Sequence, residues 1–419
     1  MSMELPRFSF GIGDRFGHEG EAQLAAFEAL ADEGVVVTPV WNKSNREHRI
    51  CGTRPESVRA EAEAAVQARG WRHGCFVDAD HVGLATLEPF LASSDFFTID
   101  VADAMGQPVA EAEAEAFAMR HAERDGWLRV PGLVDPLAAD REVALRVARK
   151  SLAAVREAGR IFRRIAEHKG EGGFVAEVSM DETDAPQTPI ELWFILRGLA
   201  EEGVRVQTIA PRFSGAFHKG VDYVGDPARF EAEFEADTRI ARHAASSLGL
   251  PRSLKLSVHS GSDKFALYPR IRSVLARTGA GVHVKTAGTT WLEELIGLAE
   301  AGGDGLELCM EFWRGALARI DELCAPYANV VAIDRGGLPS VEELARWDGE
   351  RFARALRHEP RCLEYDRDLR QLLHVSFKLA AEAGPRFTAA LVRHRATIAP
   401  NVTHNLLVRH LRPLFAGLR

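Results

Sequence analysis

Eight short apolar runs alternate with helix-forming stretches through residues 1–302, and this alternation limits the possible folds more than any other feature of the sequence. The predicted strands are 8–12, 35–40, 75–77, 96–101, 174–180, 204–209, 254–258 and 282–285. Helical periodicity follows most of them, for example over 21–31 and 55–69. Strand–helix alternation repeated in this way predicts an α/β fold, a TIM-like (β/α)8 barrel.

Two further parts of the sequence lie outside the strand–helix repeat. The helical region at about 110–170 is too long for one crossover helix, so we expect an insertion that covers one end of the fold. Residues 303–419 are mostly helical, although the run VVAID at 330–334 is compatible with an extra strand. The predicted organisation is a barrel over 1–302, including the insertion, and a helical C-terminal extension over 303–419 packed on the barrel.

Composition excludes several classes of partner. The net charge is −8 at pH 7 with a pI near 6.0, whereas nucleic acids and anionic membranes bind basic surfaces. No run approaches the roughly 18 apolar residues that span a bilayer, and the start MSMELPRFSF does not look like a signal peptide. The five cysteines are widely spaced and form no CxxC, which favours a reduced, cytoplasmic protein.

Ionisable side chains recur where predicted strands end. Asp78, Asp80 and His81 follow the third strand, and the seventh strand, within LKLSVHSGSDK, ends at His259. The fifth strand contains Glu177, an acidic residue in an apolar run, which costs free energy unless a metal or partner compensates it. The catalytic residues of a (β/α)8 barrel lie at the carboxyl ends of its strands, so this is where we expect the site.

The residues at these positions favour a metal site. Glu177, Asp181, His218 and His259 offer carboxylate oxygens and imidazole nitrogens from different strand ends, a donor set that suits zinc, manganese, nickel or cobalt. The polar segment 41–49 is compatible with either a solvated surface or a seat for an anionic or polyhydroxylated ligand. The string GIGDRFG does not fit a dinucleotide fingerprint, because its third glycine is one position late.

Several blocks resemble the tagaturonate epimerase family, namely FVDADHVG, EVSMDETD, FHKGVDYVGD, SVHSGSDKF, VHVKTAGTTWLEEL and LLHVSFKLAAE. The resemblance extends from about residue 8 to 406. It implies an isomerase that interconverts tagaturonate and fructuronate, with relatives acting on tagatose and fructose, and that uses a divalent metal. Carried over by position, it implies Glu177, His218 and His259 as metal ligands and Asp80 as an acid/base group.

The implied reaction inverts a hydroxyl-bearing carbon β to a ketone, whose hydrogen is not acidic enough for direct abstraction. A retro-aldol route and a carbonyl-migration route through enediols both remain open. We expect Asp80 and Asp181 to move protons, and Lys43, Arg46 or Lys264 to hold a substrate carboxylate. The alternatives are a metal-dependent sugar isomerase, a class II type aldolase, or a hexuronate-binding protein without catalytic activity.

Overall fold

Eight parallel strands close into a barrel in the computed structural model, which describes residues 3–286 and 288–418. The barrel strands are β1 (Phe8–Ile12), β2 (Thr38–Ser44), β3 (Phe76–Val82), β4 (Phe96–Asp100), β7 (Val175–Ser179), β8 (Val206–Ala210), β9 (Lys255–Val258) and β10 (Val282–Lys285). The remaining strands, β5 (Trp127–Leu128) and β6 (Leu137–Ala138), form an antiparallel pair. Strand β1 closes the barrel by pairing with β10 and with β2. The predicted (β/α)8 barrel is therefore confirmed.

The helices of the barrel part surround the strands. They are α1 (Gly20–Asp32), α2 (Asn45–Cys51), α3 (Pro55–Arg69), α4 (Glu111–His121), α5 (Arg141–Lys169), α6 (Pro189–Glu201), α7 (Pro227–Ser247), α8 (Tyr268–Thr278) and α9 (Thr289–Ala301). Helices α4 and α5, with the β5–β6 pair between them, lie in the chain between β4 and β7, where the sequence predicts a helical insertion.

The chain after α9 is helical. It contains α10 (Gly303–Ala318), α11 (Ile320–Cys324), α12 (Val341–Leu344), α13 (Gly349–Leu356), α14 (Arg367–Val375), α15 (Phe377–Ala383), α16 (Pro385–Arg393), α17 (Arg395–His404), a π-helical segment (Asn405–Leu411) and α18 (Arg412–Phe415). Short 3₁₀ turns lie at Glu88–Phe90, Ala102–Ala104, Ala325–Tyr327 and Arg335–Gly337. Among the described helices, none is both long and apolar enough to cross a lipid bilayer. The division of the chain into two domains at 302/303 stays a prediction.

The C-terminal extension covers the outer face of β1. The ring of Phe415 lies 5.4 Å from that of Phe8 and 6.4 Å from that of Phe10, between centroids, and the His410 ring lies 6.2 Å from Phe10. All four side chains are buried. Because burying apolar surface is the main driving force for packing, these contacts hold the end of the chain against its first strand.

Three local predictions differ from the structure. Strand β2 runs from Thr38 to Ser44 and not over 35–40, and Ser44 and Glu47 then form a capping box that starts α2, so the polar segment 41–49 belongs to a strand and a helix. Strand β3 continues to Val82, five residues beyond its predicted end at 77. The run at 330–334 forms no strand. Polar residues inside β2 and β3 face the interior of the barrel mouth, which apolar patterning cannot detect.

A buried ion pair joins the extension to the loop after β9. Arg370 of α14 lies 3.1 Å from both carboxylate oxygens of Asp263, and both side chains are fully buried. Burial opposes ionisation of Asp263, but Arg370 and His358 hold its pKa well below the ordinary value. Asp263 also has a φ of 62°, a conformation that the ion pair helps to maintain. The pair thus fixes the backbone only four residues after His259.

We expect Asp263→Asn to lower the free energy of unfolding by about 3 kcal/mol, because the Arg370 guanidinium then stays buried without a counter-charge. Denaturant unfolding and the thermal midpoint measure this loss. The matched control is Asp321→Asn, which breaks an exposed pair with Arg335 and is expected to cost less than about 1 kcal/mol. Equal losses in the two variants would contradict the prediction.

Candidate active site

A polar cavity of about 370 Å³ lies at the carboxyl ends of the barrel strands. The side chains that line it are Arg15, Asn42, Ser44, Asn45, Arg46, Glu47, Arg49, Asp80, His81, Thr86, Asp100, Asp181, Glu182, Lys219, His259, Ser260, Ser262, Lys285, Tyr327 and His374. Two of them, Tyr327 and His374, belong to the C-terminal extension, so the barrel does not form this cavity alone.

Lys285, the last residue of β10, lies among three carboxylates. Its Nζ is 2.6 Å from Asp78 Oδ2, 2.8 Å from Asp80 Oδ1 and 3.3 Å from Glu177 Oε1. Thr98 of β4 completes the group, since its hydroxyl contacts both Lys285 and Asp78. These residues come from β3, β4, β7 and β10, and parallel strands bring their ends to the same face of the barrel.

The charges in this group shift its pKa values in different directions. Burial and the neighbouring carboxylates raise the pKa of Asp78 to about 7, against the effect of Lys285. Burial also disfavours ionised Asp80, but Lys285 and His81 lower its pKa to about 2. Glu177 is likewise held ionised by Lys285 and His259 in spite of burial, with a pKa well below the ordinary value. Asp80 and Glu177 are therefore carboxylates at neutral pH.

His259 bridges two carboxylates at the end of β9. Its Nε2 is 2.6 Å from Glu177 Oε1, and its Nδ1 is 3.2 Å from Asp181 Oδ1. Burial alone would lower its pKa, but Asp181 and Glu177 raise it to about 9. Ser179 donates a hydrogen bond of 2.5 Å to Asp181, which holds that carboxylate in place after β7.

His81 lies opposite His259 across the barrel mouth. The two imidazole rings are 5.0 Å apart between centroids, and His81 Nδ1 is 3.1 Å from Asp100 Oδ2. His81 has a φ of 54°, in the left-handed region that non-glycine residues rarely adopt. Ser260, next to His259, has a φ of 49°. Backbone strain of this kind is concentrated at functional sites.

Three side chains are close enough to bind one metal ion. Donor atoms of His81, Asp181 and His259 all lie within 4.8 Å of one another. The second carboxylate oxygen of Glu177, Oε2, is buried and has no hydrogen-bond partner, although the first contacts His259. Two imidazoles with carboxylate oxygens form a donor set suited to the predicted transition metals.

The structure brings some of the predicted site residues together and separates others. Asp80, Asp181, His259 and Arg46 line the cavity, and Glu177 lies against His259. His218, among the described residues, neither lines this cavity nor belongs to the compact donor group. The metal role of Glu177, His218 and His259 stays a prediction.

Lys43 and Lys264 do not line the cavity. Lys43 Nζ donates to the carbonyl of Arg15 at 2.6 Å. Lys264 Nζ donates to the carbonyls of His218, Val221 and Ser262 at 2.8 to 2.9 Å, which uses all three of its N–H groups. Both ammonium groups therefore support the backbone around the cavity rather than face its interior.

Sequence reasoning missed Lys285 and assigned no role to His81. Lys285 ends the eighth predicted strand as His259 ends the seventh, so the same positional argument identifies it. His81 directly follows Asp80 in the sequence, so the argument that identified Asp80 as a candidate site residue applied to His81 as well. Tyr327 could not be found in this way, because it lies far along the chain in the extension.

Comparisons with known proteins agree with the geometry. A family model described as tagaturonate epimerase matches residues 135–395. The tagaturonate/fructuronate epimerase of Thermotoga maritima is 30% identical over 386 residues, which cover 88% of this chain and 73% of that protein.

Solved structures of a fructuronate-tagaturonate epimerase from Cohnella laeviribosi have the same fold. The native structure matches with a TM-score of 0.79 and 25% identity, over 99% of this chain and 82% of that chain. A glycerol complex matches with a TM-score of 0.82 and 23% identity over the same shares. From the family model and the Thermotoga relative together, it follows that this chain belongs to the tagaturonate epimerase family.

Proposed function

We propose that this protein is a divalent-metal-dependent epimerase that interconverts tagaturonate and fructuronate. Family membership supports the reaction, because the relatives carry it in their names. The observation that carries the proposal is the group His81, Asp181 and His259, whose donor atoms face the same cavity as the Lys285 carboxylate group. This proximity supports a site that combines metal ligands with proton-transfer groups.

The residues present fit a metal ion. The unpartnered Oε2 of Glu177 and the close donors of His81, Asp181 and His259 are an oxygen and nitrogen set of the right chemistry. A bound divalent metal would polarise a carbonyl oxygen of the substrate as a Lewis acid. His81, Asp181 and His259 would hold it, with Glu177 orienting His259 through the 2.6 Å contact at Nε2.

The carboxylates supply proton transfer. Both the retro-aldol route and the carbonyl-migration route need one group that takes a proton from the substrate and one that returns it. Asp80 lines the cavity, is ionised, and is held by Lys285 at 2.8 Å, so it starts as a proton acceptor. Asp181 is ionised too, because His259 overcomes the effect of burial on its pKa, but it also lies in the donor group. The metal content of Asp181→Asn therefore separates the two roles of Asp181: loss of metal indicates a ligand, and loss of turnover with the metal retained indicates a proton-transfer group.

The direct test is incubation of the metal-loaded protein with tagaturonate, fructuronate, tagatose and fructose in D₂O, followed by NMR. We expect each uronate to be converted into the other. Deuterium on carbon supports carbonyl migration, and inversion without deuterium supports the retro-aldol route. Accumulating cleavage fragments would indicate an aldolase, an aldose product would indicate an isomerase, and binding without turnover would leave only a hexuronate-binding protein.

We expect His81→Ala and His259→Ala to lose bound metal and turnover, because each removes a donor of the compact group. Elemental analysis after metal loading measures the stoichiometry. His218→Ala is the discriminating variant and is expected to keep its metal, since His218 lies outside that group. Loss of metal from His218→Ala but not from His81→Ala would favour the ligand set predicted from the sequence. Full activity after exhaustive chelation would refute metal dependence altogether.

We expect Asp80→Asn to lower kcat by about 10²- to 10⁴-fold while the metal stoichiometry is kept, because an amide cannot accept the proton. Steady-state kinetics with tagaturonate, together with elemental analysis, measure both quantities. Asp135→Asn, at an exposed position between β5 and β6, is the matched control. A kcat within threefold of the unsubstituted protein would remove Asp80 from the mechanism.

A further inference from the structure

Two of the Lys and Arg side chains that line the cavity have carboxylate partners. Lys285 is paired with carboxylates, and Arg15 is 3.1 Å from Glu47 and lies over the ring of Phe377. By contrast, within residues 3–286 and 288–418, no carboxylate lies within 4.0 Å of the cationic nitrogens of Arg46, Arg49 or Lys219. All three line the cavity. Arg46 Nη1 contacts the carbonyl oxygen of Pro326 at 3.5 Å, but neither Arg46 nor Lys219 is neutralised by a carboxylate at that distance, and these two also share an aromatic neighbour.

Arg46 and Lys219 meet at one aromatic ring. The guanidinium carbon of Arg46 is 5.5 Å from the ring centroid of Tyr327, and Lys219 Nζ is 5.8 Å from the same centroid. Arg46 comes from α2 and Lys219 from the loop after β8, whereas Tyr327 belongs to the extension. The aromatic ring attracts both cations and keeps them near each other in spite of their mutual repulsion.

The backbone around Lys219 is held from several sides. Its own N–H donates to the carbonyl of Val330 at 2.8 Å. Lys264 donates to the carbonyls of His218 and Val221, and Arg370 donates to that of Gly220. These bonds to the residues on either side fix where the Lys219 side chain starts, and a fixed cation loses little entropy when it binds an anion.

We propose that Arg46 and Lys219, positioned by Tyr327, form the subsite that binds the carboxylate of a hexuronate substrate. The proposal rests on the proposed function and specifies its substrate class. A neutral ketose would place a hydroxymethyl group beside two cations without a counter-charge, which disfavours it relative to the uronate. His81, Asp80 and His259, which line the same cavity, would then receive the carbons that react.

The first test compares substrates rather than absolute rates. The measured quantity is the kcat/KM for tagaturonate divided by the kcat/KM for tagatose. We expect Lys219→Met and Arg46→Met each to lower this ratio by about tenfold or more, because one charge-assisted hydrogen bond to the carboxylate is lost. The loss should appear mainly as a higher KM for tagaturonate. Arg72→Met is the control for removal of a positive charge, since Arg72 is exposed in the turn before β3, at the other end of the barrel. Equal losses on the two substrates would overturn the subsite.

The second test concerns the ring. We expect Tyr327→Phe to keep the preference for the uronate, because the ring face is retained, and Tyr327→Leu to lose it by severalfold. Equal preferences in the two variants would show that Tyr327 does not position the cations.

A binding measurement separates failure of the subsite from failure of the proposed reaction. Calorimetric titration with galactonate and with galactitol compares an acid and a neutral polyol on the same carbon chain. We expect the metal-loaded protein to bind the acid at least about tenfold more tightly, and Lys219→Met to remove that difference. Equal affinities in the unsubstituted protein would refute the subsite even if the epimerase reaction occurs. If the protein clearly prefers the acid but converts neither tagaturonate nor fructuronate, the proposed reaction is refuted and the carboxylate subsite is retained.

Discussion

The Lys285 ammonium allows three carboxylates to lie buried together at the barrel mouth. Asp78, Asp80 and Glu177 all contact it, and without it their charges would be strongly disfavoured in a region of low dielectric, although Glu177 also contacts His259. Because one cation serves three anions, their pKa values separate: Asp78 is raised to about 7, whereas Asp80 is lowered to about 2. Carboxylates in one cavity thereby acquire different protonation states, which acid/base chemistry requires.

The carboxylates around the barrel mouth, which include Asp100 and Asp181 outside this group, also shift the pKa values of the two histidines. His259 contacts Glu177 and Asp181, which raise its pKa to about 9 against the effect of burial. Burial opposes the charge on His81 in the same way, but Asp80 and Asp100 raise its pKa to about 10. These pKa shifts favour protonated imidazoles in the metal-free protein, so a metal ion bound through them as we propose would displace protons.

The C-terminal extension holds the loops that carry the site. Arg370 pairs with Asp263 after β9 and donates to Gly220 after β8, while Val330 accepts from Lys219. The loops therefore cannot take up their positions independently of the helices that follow the barrel. The extension also brings Tyr327 to the wall of the cavity. It thus contributes both to the stability of the fold and to the recognition that we propose.

Sequence patterns were sufficient to predict the barrel and the face at which we propose the site, because strand periodicity and the carboxyl ends of strands are local properties of the chain. It also identified Glu177 as a group in need of a partner, since an acidic residue in an apolar strand is anomalous wherever the strand packs. The three-dimensional arrangement was needed to show that its partners are Lys285 and His259, and that His81, not His218, joins Asp181 in the donor group of the described residues. The identity of a partner depends on which strand ends and loops meet in space, and the resulting distances of a few ångströms set both the charges and the possible ligands.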